Sequence, residues 1–429
     1  MNSKLYKLIF CRRLGCLIAV GEFTRSYGRA FSSKGGQAGN NQRRAVGILS
    51  RLAMMTGLAL GIFPLLVLAH PVLPVNGHVV IGQGMLDQQS STLTVTQQTD
   101  KLAINWDSFD IAHGHSVIYA QPGSQSIALN QVQGQSASQI YGRLQANGQV
   151  FLLNPRGILF GKEAQVNVGG LVASTKYMSN PEFLSGDYRL IGGESEGNII
   201  NQANLRSAPG GYIALVGNRI DNQRSGSITT PQGNTVLAVG HSVTLNLDHG
   251  NLLGVQIQGE TVAALIQNGG LIQADGGVIQ LTAKGKDMLM DTVIDNTGIL
   301  QAKGLSAKNG AIYLDGGGEG VVSQMGTIDV NNQQGRGGRA VVEGKRIYLN
   351  KNSNIKAKGT AGGGTVLVGG GWQGKDNQIR NATAVVMDKG SDIDVSASRN
   401  GPGGSAVLWS EDYTGFHGNI RARGGPQSG

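Results

Sequence analysis

Beyond residue 69, apolar residues return in short runs of about three to five, alternating with polar ones or closed off by Gly and Asn, and helical heptads are absent throughout. From residue 70 to about 201 these runs are irregular: 79–81, 92–95, 102–105, 116–119, 150–153 and 158–160. Alternation such as Thr92-Leu-Thr-Val-Thr96 predicts strands with one buried face. Residues 150–153 and 158–160 are unbroken apolar runs, too short for helices, and predict buried strands joined by a tight corner. Residues 180–196 interrupt the pattern with Asn-Pro, Ser-Gly and Gly-Gly pairs, which predicts an excursion or hairpin off the main body.

From about residue 201 the chain becomes periodic. One phrase recurs as GLIQADGG, GILQAKGL, GTIDVNNQ, SNIKAKGT, SDIDVSAS and GNIRARGG, with central residues Ile272, Leu300, Ile328, Ile355, Ile393 and Ile420 spaced by 28, 28, 27, 38 and 27. A second phrase, Gly-x-apolar-x-apolar, lies between them, centred on Ile279, Ile312, Ala340, Val366 and Ala406. Two interleaved phrases on one period mean one structural unit per repeat. A unit of short strands without a helix is a coil of a parallel β-helix, whose inward side chains stack coil on coil. The predicted fold is therefore all-β, a right-handed parallel β-helix with short hairpin and loop excursions. At a strand spacing of about 4.8 Å, roughly 13 to 17 coils make a rod of about 60 to 80 Å. The long step from Ile355 to Ile393 contains Gly369-Gly-Gly-Trp372 and predicts a loop bulging from the rod. The chain stops at Gly429 one phrase into a repeat, with nothing resembling a cap, so we expect it to be a truncation or the N-terminal part of a longer protein.

Composition changes the picture at the N-terminus. Residues 1–69 hold ten of the 36 Lys and Arg and one of the 27 acids, so this segment carries the whole formal charge of +9. The remainder is neutral, and the high isoelectric point gives no case for nucleic acid as a partner. Both cysteines, Cys11 and Cys16, also lie in this segment. A body released from it has no disulfide, thiolate metal site or Cys nucleophile, which suits passage through an oxidising compartment. Arg43, Arg44 and Arg51 precede an apolar stretch at 52–69, and Val67-Leu-Ala69 offers a cleavage point between Ala69 and His70. An uncleaved anchor is the alternative, since the run is just long enough to span a bilayer. Pro64 and the tripeptide favour removal.

The remaining candidate chemistry reads mostly as structure. Asp275, Asp287, Asp291, Asp295, Asp315 and Asp329 are spread over successive turns, Asp275 and Asp315 directly beside Gly, as turn-forming residues are. A polysaccharide-active enzyme would need two or three of them to converge. His113-Gly-His115 lacks a third ligand at recognisable spacing and reads as an exposed turn rather than a metal site. Gly316-Gly-Gly318 and Gly362-Gly-Gly364 precede no helix and no Lys-Ser/Thr pair, so they are not phosphate loops. Lys345-Arg346 and Arg421-Ala-Arg423 are small basic spots, and Asn381-Ala-Thr383 is a formal glycosylation sequon. No catalytic residue, metal or cofactor is expected.

The corner Asn154-Pro155-Arg156-Gly157-Ile158 is over-specified: Pro155 fixes its own φ and pushes Asn154 out of the α region, and Gly157 permits a backbone that a side chain would forbid. A purely structural reading has Asn154 capping a coil turn and stacking on a neighbouring Asn. Together with Asn105-Trp106, Gln121-Pro122, Leu129-Asn-Gln-Val132, Ala146-Asn-Gly148 and Ala173-Ser-Thr175, the corner resembles the secretion domain of two-partner secretion exoproteins, the filamentous-haemagglutinin-like adhesins and their relatives. Residues 1–30, with Met1-Asn-Ser-Lys4, Tyr6-Lys-Leu-Ile-Phe10 and Glu22-Phe23, resemble the extended signal-peptide region of very large exported bacterial proteins. Gly21 stands where a Ser is usual.

The resemblance implies residues 1–69 as an extended signal peptide, 70–260 as the secretion domain and 261–429 as a β-helical repeat region. It implies export through the Sec machinery into the periplasm of a Gram-negative bacterium. A dedicated outer-membrane transporter would then recognise the domain, and a secreted or cell-surface adhesin or scaffold would face host-cell or bacterial surface receptors. At the corner the family's motif is Asn-Pro-Asn-Gly, thought important for secretion, so Arg156 is a departure. The second family motif, Asn-Pro-Asn-Leu, is absent, and residues 121–127 occupy its region. That aligns the chain with high-molecular-weight adhesins and haem-acquisition exoproteins rather than cysteine-containing haemolysins. Each coil can fold only on a preceding one, so growth of the rod outside the cell would help draw the chain out. The stalk of a contact-dependent toxin and a polysaccharide-active enzyme remain the rival functions.

Overall fold

The computed structural model describes residues 6–11, 16–21, 72–193, 197–286, 291–305 and 308–427, and the chain divides into two units, Met1–Leu66 and Val67–Gly429. In the first unit Tyr6–Cys11 and Cys16–Gly21 pair antiparallel, with Cys11 opposite Cys16. The apolar stretch 52–69, the Ala69 to His70 junction and Asp287 lie outside the described residues. Among the described residues no helix is long and apolar enough to cross a membrane.

The second unit is a parallel β-helix with three faces. The first face runs through parallel pairings from Thr92–Gln97 to Asn419–Arg421. The second runs from Lys101–Trp106 to Ser405–Leu408. The third is a separate sheet of ten strands from Ser138–Ile140 to Tyr413–Phe416. At the N-terminal end His78–Ile81 lies antiparallel on the second face and Gly84–Gln89 antiparallel on the first, so two antiparallel strands close the stack.

Both phrases seen in the sequence are ladders in register. Ile272, Leu300, Ile328, Ile355, Ile393 and Ile420 pair in succession on the first face. Ile279, Ile312, Ala340, Val366 and Ala406 do so on the second. Their side chains form the interior, with Ile272, Leu300, Ile328, Ile355 and Ile393 fully buried, each worth about 1.5–3 kcal/mol in transfer from water.

The third face was not separable in the sequence. Its inward positions read Ile220, Ile266, Ile294, Val322, Ile347 and Val385, but the residues around them follow no shared phrase. Beside them runs a buried amide ladder. Asn201 donates to Asn222 at 2.8 Å, Asn222 to Asn268 at 2.7 Å, Asn268 to Asn296 at 2.7 Å and Asn296 to Gln324 at 2.8 Å. Each asparagine donates to the amide of the next coil, and the ends of the ladder are met by the Ala203 N–H and the Gly326 carbonyl, which is what permits the burial.

One feature differs from the sequence expectation, and a second resolves an alternative it left open. Among the described residues the first face carries twelve parallel strands, fewer than the 13 to 17 coils expected, and these span about 50–55 Å at the usual strand spacing. Residues spent off the rod explain the difference. Of the two readings of the segment from residue 180, the excursion holds and the hairpin does not. The segment is a short helix, Asn180–Ser185, followed by a strand, Tyr188–Ile191, that pairs with a distant hairpin of Ser242–Asp248 and Asn251–Gln258. This antiparallel sheet covers the outer side of the second face, forming a second core with Phe151, Leu153, Val172, Tyr212 and Val236. Residues 150–153 read as an unbroken apolar run because the strand Gln149–Leu153 is buried on both sides. The loop expected in the long repeat is present. It follows Thr365–Val368, contains a single turn at Trp372–Gly374 and leaves Trp372 73% exposed.

Candidate functional site

The corner of residues 154–157 joins the second-face strand Gln149–Leu153 to the third-face strand Ile158–Phe160. It is a β-turn. Gly157 N donates to the Asn154 carbonyl at 3.0 Å, and Arg156 N donates to Asn154 Oδ1 at 2.9 Å. The side chain thus imitates a turn of backbone, the habit that places Asn before Pro. Gly157 adopts φ +118°, which an L side chain rarely tolerates, and a Cβ there would lie 3.1 Å from the Asn198 carbonyl.

Neighbouring coils lock this turn from both sides. Asn154 Nδ2 donates to the Ser136 carbonyl and to Ser138 Oγ, both at 3.0 Å, in the preceding coil. Asn154 N donates to the Ser174 carbonyl at 2.9 Å, Gly197 N to the Pro155 carbonyl at 2.8 Å and Ile158 N to the Asn198 carbonyl at 3.0 Å in the following one. Asn154 is fully buried. The expected stacking on another Asn does not occur, because strand register sets Leu153 beside Gln131 and Ser174, and the nearest side-chain partner becomes a serine. Ile158 is also buried, and Pro155 is half-buried. Arg156 at the tip is exposed, and among the described residues its guanidinium has no partner.

A cavity of about 400 Å³ opens beside the tip. Val132, Leu153 and Pro155 form its apolar part, and Gln133, Gln135 and Tyr177 flank it together with Arg156. It spans three consecutive coils, since residues 131–135 come from the preceding corner and Lys176 and Tyr177 from the following one. Lys176 is buried and donates to Asn218 Oδ1 at 3.0 Å. No sequence signal marked Gln133, Gln135 or Tyr177, because only the pairing of coils brings them to the corner.

Most of the motif residues around the corner are internal, although Pro122 and Asn147 are exposed. Trp106 Nε1 and Tyr119 Oη both donate to Asn130 Oδ1, at 2.9 and 2.6 Å. Burial pushes the Tyr119 phenol well above its ordinary range, so it remains a donor. Gln121 donates to Gln97, to the Ser126 carbonyl and to the Gln149 carbonyl, and Tyr212 Oη donates to Gln149 at 2.6 Å. Asn130, Gln121 and Gln149 are therefore framework amides that tie the first coils together.

The other candidates do not assemble. His113 pairs with Glu163 at 3.0 Å in the open, and His115 lies 3.1 Å from the His113 carbonyl. Asp275 accepts from Gln301 and Lys303 N, Asp315 from Gly317 N and Arg380, and Asp329 from Asn331 N. Among the described residues no three His, Cys, Asp or Glu side chains come close enough to hold a metal. Lys345 is paired with Glu319, and Arg421 with Asp392 and Asp394. Asn381 of the sequon donates inward to the Gly374 carbonyl at 3.1 Å.

Comparison with known proteins fits this geometry. The sequence model of the TPS secretion domain matches residues 71–330, and that of the extended signal peptide of type V secretion systems matches residues 1–51. A heme/hemopexin-binding protein of Haemophilus influenzae strain Rd is 32% identical over 251 residues, covering 56% of this chain and 27% of that protein. A second Haemophilus influenzae heme/hemopexin-binding protein is 30% identical over 314 residues, 68% of this chain and 32% of its own length. The toxin CdiA of Yersinia pestis is 26% identical over 372 residues, 71% of this chain and 11% of the toxin. The chain thus spans a third or less of each of these relatives. The crystal structure of the HMW1 secretion domain from Haemophilus influenzae superposes with a TM-score of 0.75 at 30% identity, covering 82% of this chain and 91% of that domain. With its β-helix, its amide-bonded first coils and its Asn-Pro corner, the chain belongs to the TPS secretion domain family, the exported exoproteins of two-partner secretion systems.

Proposed function

We propose that the corner of Asn154, Pro155, Arg156, Gly157 and Ile158 is the export address of this exoprotein, read by the periplasmic part of a dedicated outer-membrane transporter. The observation that carries the reading is the division of labour at the turn: Asn154 spends its whole side chain on the two adjoining turns, and the tip remains open beside a cavity. In this reading residues 1–69 deliver the chain to the Sec machinery and are removed between Ala69 and His70. Residues 70–260 serve recognition, and 261–429 extend the rod. The outer sheet, whose last strand is Asn251–Gln258, supports a division near 260. Once outside, the rod acts as an adhesin or surface scaffold.

The test is export of the full chain by a Gram-negative host with and without the transporter. Export should require the transporter and fall by about tenfold or more in Asn154→Ala, which leaves buried partners unsatisfied. Unchanged export without the transporter, or with Asn154→Ala, sinks the reading. A second reading, capture of a haem-carrying protein by the rod, is favoured by the two heme/hemopexin-binding relatives at 30% and 32% identity. Pull-down of hemopexin by the secreted chain decides between capture and a plain scaffold.

A further inference from the structure

The turn that holds Asn154 inside also decides what a partner can touch. Asn154, Gly157 and Ile158 are buried and Pro155 is half-buried, so the exposed side chain at the tip belongs to Arg156. That side chain borders the cavity of about 400 Å³, within the range of roughly 300–1,000 Å³ common to ligand sites. The chemistry around the cavity has one sense. Arg156 offers a planar cation with two parallel donors, Gln133 and Gln135 offer exposed amides, and Tyr177 is 54% exposed. Among the described residues no lining residue is an acid. Val132, Leu153 and Pro155 supply an apolar floor. Such a site accepts an extended segment that places a carboxylate against the guanidinium and an apolar side chain on the floor.

We propose that Arg156 and this cavity bind an acidic peptide segment of the transporter's periplasmic part, making Arg156 the residue that selects the partner by charge. This rests on the export-address reading of the corner and adds the chemistry of what is bound. The carboxylate meets Arg156 at the rim, where charge complementarity sets specificity and rate of encounter. A transporter lacking the acid binds poorly, whatever its shape.

The test measures binding of the purified full chain to the purified periplasmic part of the transporter, over a range of salt, alongside export in cells. Arg156→Lys should stay within about threefold of wild type, whereas Arg156→Glu should weaken binding by more than about tenfold through like-charge repulsion. Arg156→Asn should bind weakly and lose the salt dependence. Substituting one acidic residue of the transporter by Lys should restore binding to Arg156→Glu. Protease resistance of each variant monitors the fold, and Arg156 is suited to substitution because its side chain makes no bond among the described residues. If Arg156→Glu binds and is exported as wild type while Asn154→Ala fails, the charge inference is overturned and the export address stands. Loss in Arg156→Lys equal to that in Arg156→Glu also overturns it. If Asn154→Ala is exported normally, or the wild-type chain does not bind, both fall together.

Discussion

The strands Gln149–Leu153 and Ala311–Asp315 occupy the same face of the same β-helix, yet they are buried differently. The first is buried at all five positions, the second only at alternate ones, Ile312 and Leu314. Their inward side chains do the same work in one continuous core. What differs is the outside: the sheet of Tyr188–Ile191, Ser242–Asp248 and Asn251–Gln258 covers the early coils, while the later ones face solvent or a single loop. The corners differ in parallel. After Arg339–Glu343 two residues, Gly344 and Lys345, suffice to reach the next face. After Gln149–Leu153 the turn takes the four residues 154–157, and after Gln165–Ser174 the chain makes a long excursion with a helix before it returns at Ile199–Asn201. A uniform rod gains individuality only where it carries such an outer layer. The candidate site lies at that edge, since Lys176 and Tyr177, which open the excursion, also border its cavity.

The contrast can be broken most directly by deleting outward side chains. Phe151→Ala, in the covered region, should cost about 3–5 kcal/mol. Tyr313→Ala, at an outward position of the later coils, should cost less than about 1 kcal/mol. Denaturant unfolding of the two variants measures both, and equal losses would mean that the outer sheet is not a real second core. A smaller effect concerns the amide ladder. Asn268→Ala leaves the buried Asn222 Nδ2 donor and the buried Asn296 Oδ1 acceptor each without its ladder bond and should cost about 2–3 kcal/mol. A neutral result in the same assay would show that the interior tolerates a gap in its polar column.

The smallest effect lies in the excursion helix. Ser179 and Glu182 form a reciprocal cap, and Lys101 Nζ donates to the Phe183 and Leu184 carbonyls, at 2.8 and 2.9 Å, while standing over the Phe183 and Tyr188 rings. Burial acts to raise the Glu182 carboxyl, but hydrogen bonds from Ser179 and Arg189 outweigh it and hold the group below its usual range. A depressed carboxylate contributes stability above the ordinary Glu value, and that contribution disappears as pH falls through the folded-state value. Glu182→Gln should therefore melt below wild type at pH 7, by about 1 kcal/mol or less. The gap should close only once the pH has fallen through the lowered folded-state value, where Glu is protonated in both states. A gap that persists in acid would remove the carboxylate from the account.

The sequence by itself determined the rod. A parallel ladder places identical phrases side by side, so periodicity read along the chain is the same information as register read across it, and Ile272 to Ile420 and Ile279 to Ala406 stack as their spacing required. It also determined that residues 154–157 turn sharply, because Pro and Gly restrict backbone locally. The third face escaped detection since its positions share only an inward apolar residue beside a buried amide or, later, Leu349 and Met387. Tertiary structure alone decided the outer sheet, which joins residues 188–191 to 242–258 across intervening coils, and with it the two-sided burial of Phe151. It also decided that Asn154 bonds to Ser138 rather than to another Asn, and that Gln133, Gln135 and Tyr177 meet Arg156 around one cavity. These contacts link different coils through non-repeating residues, so no period records them.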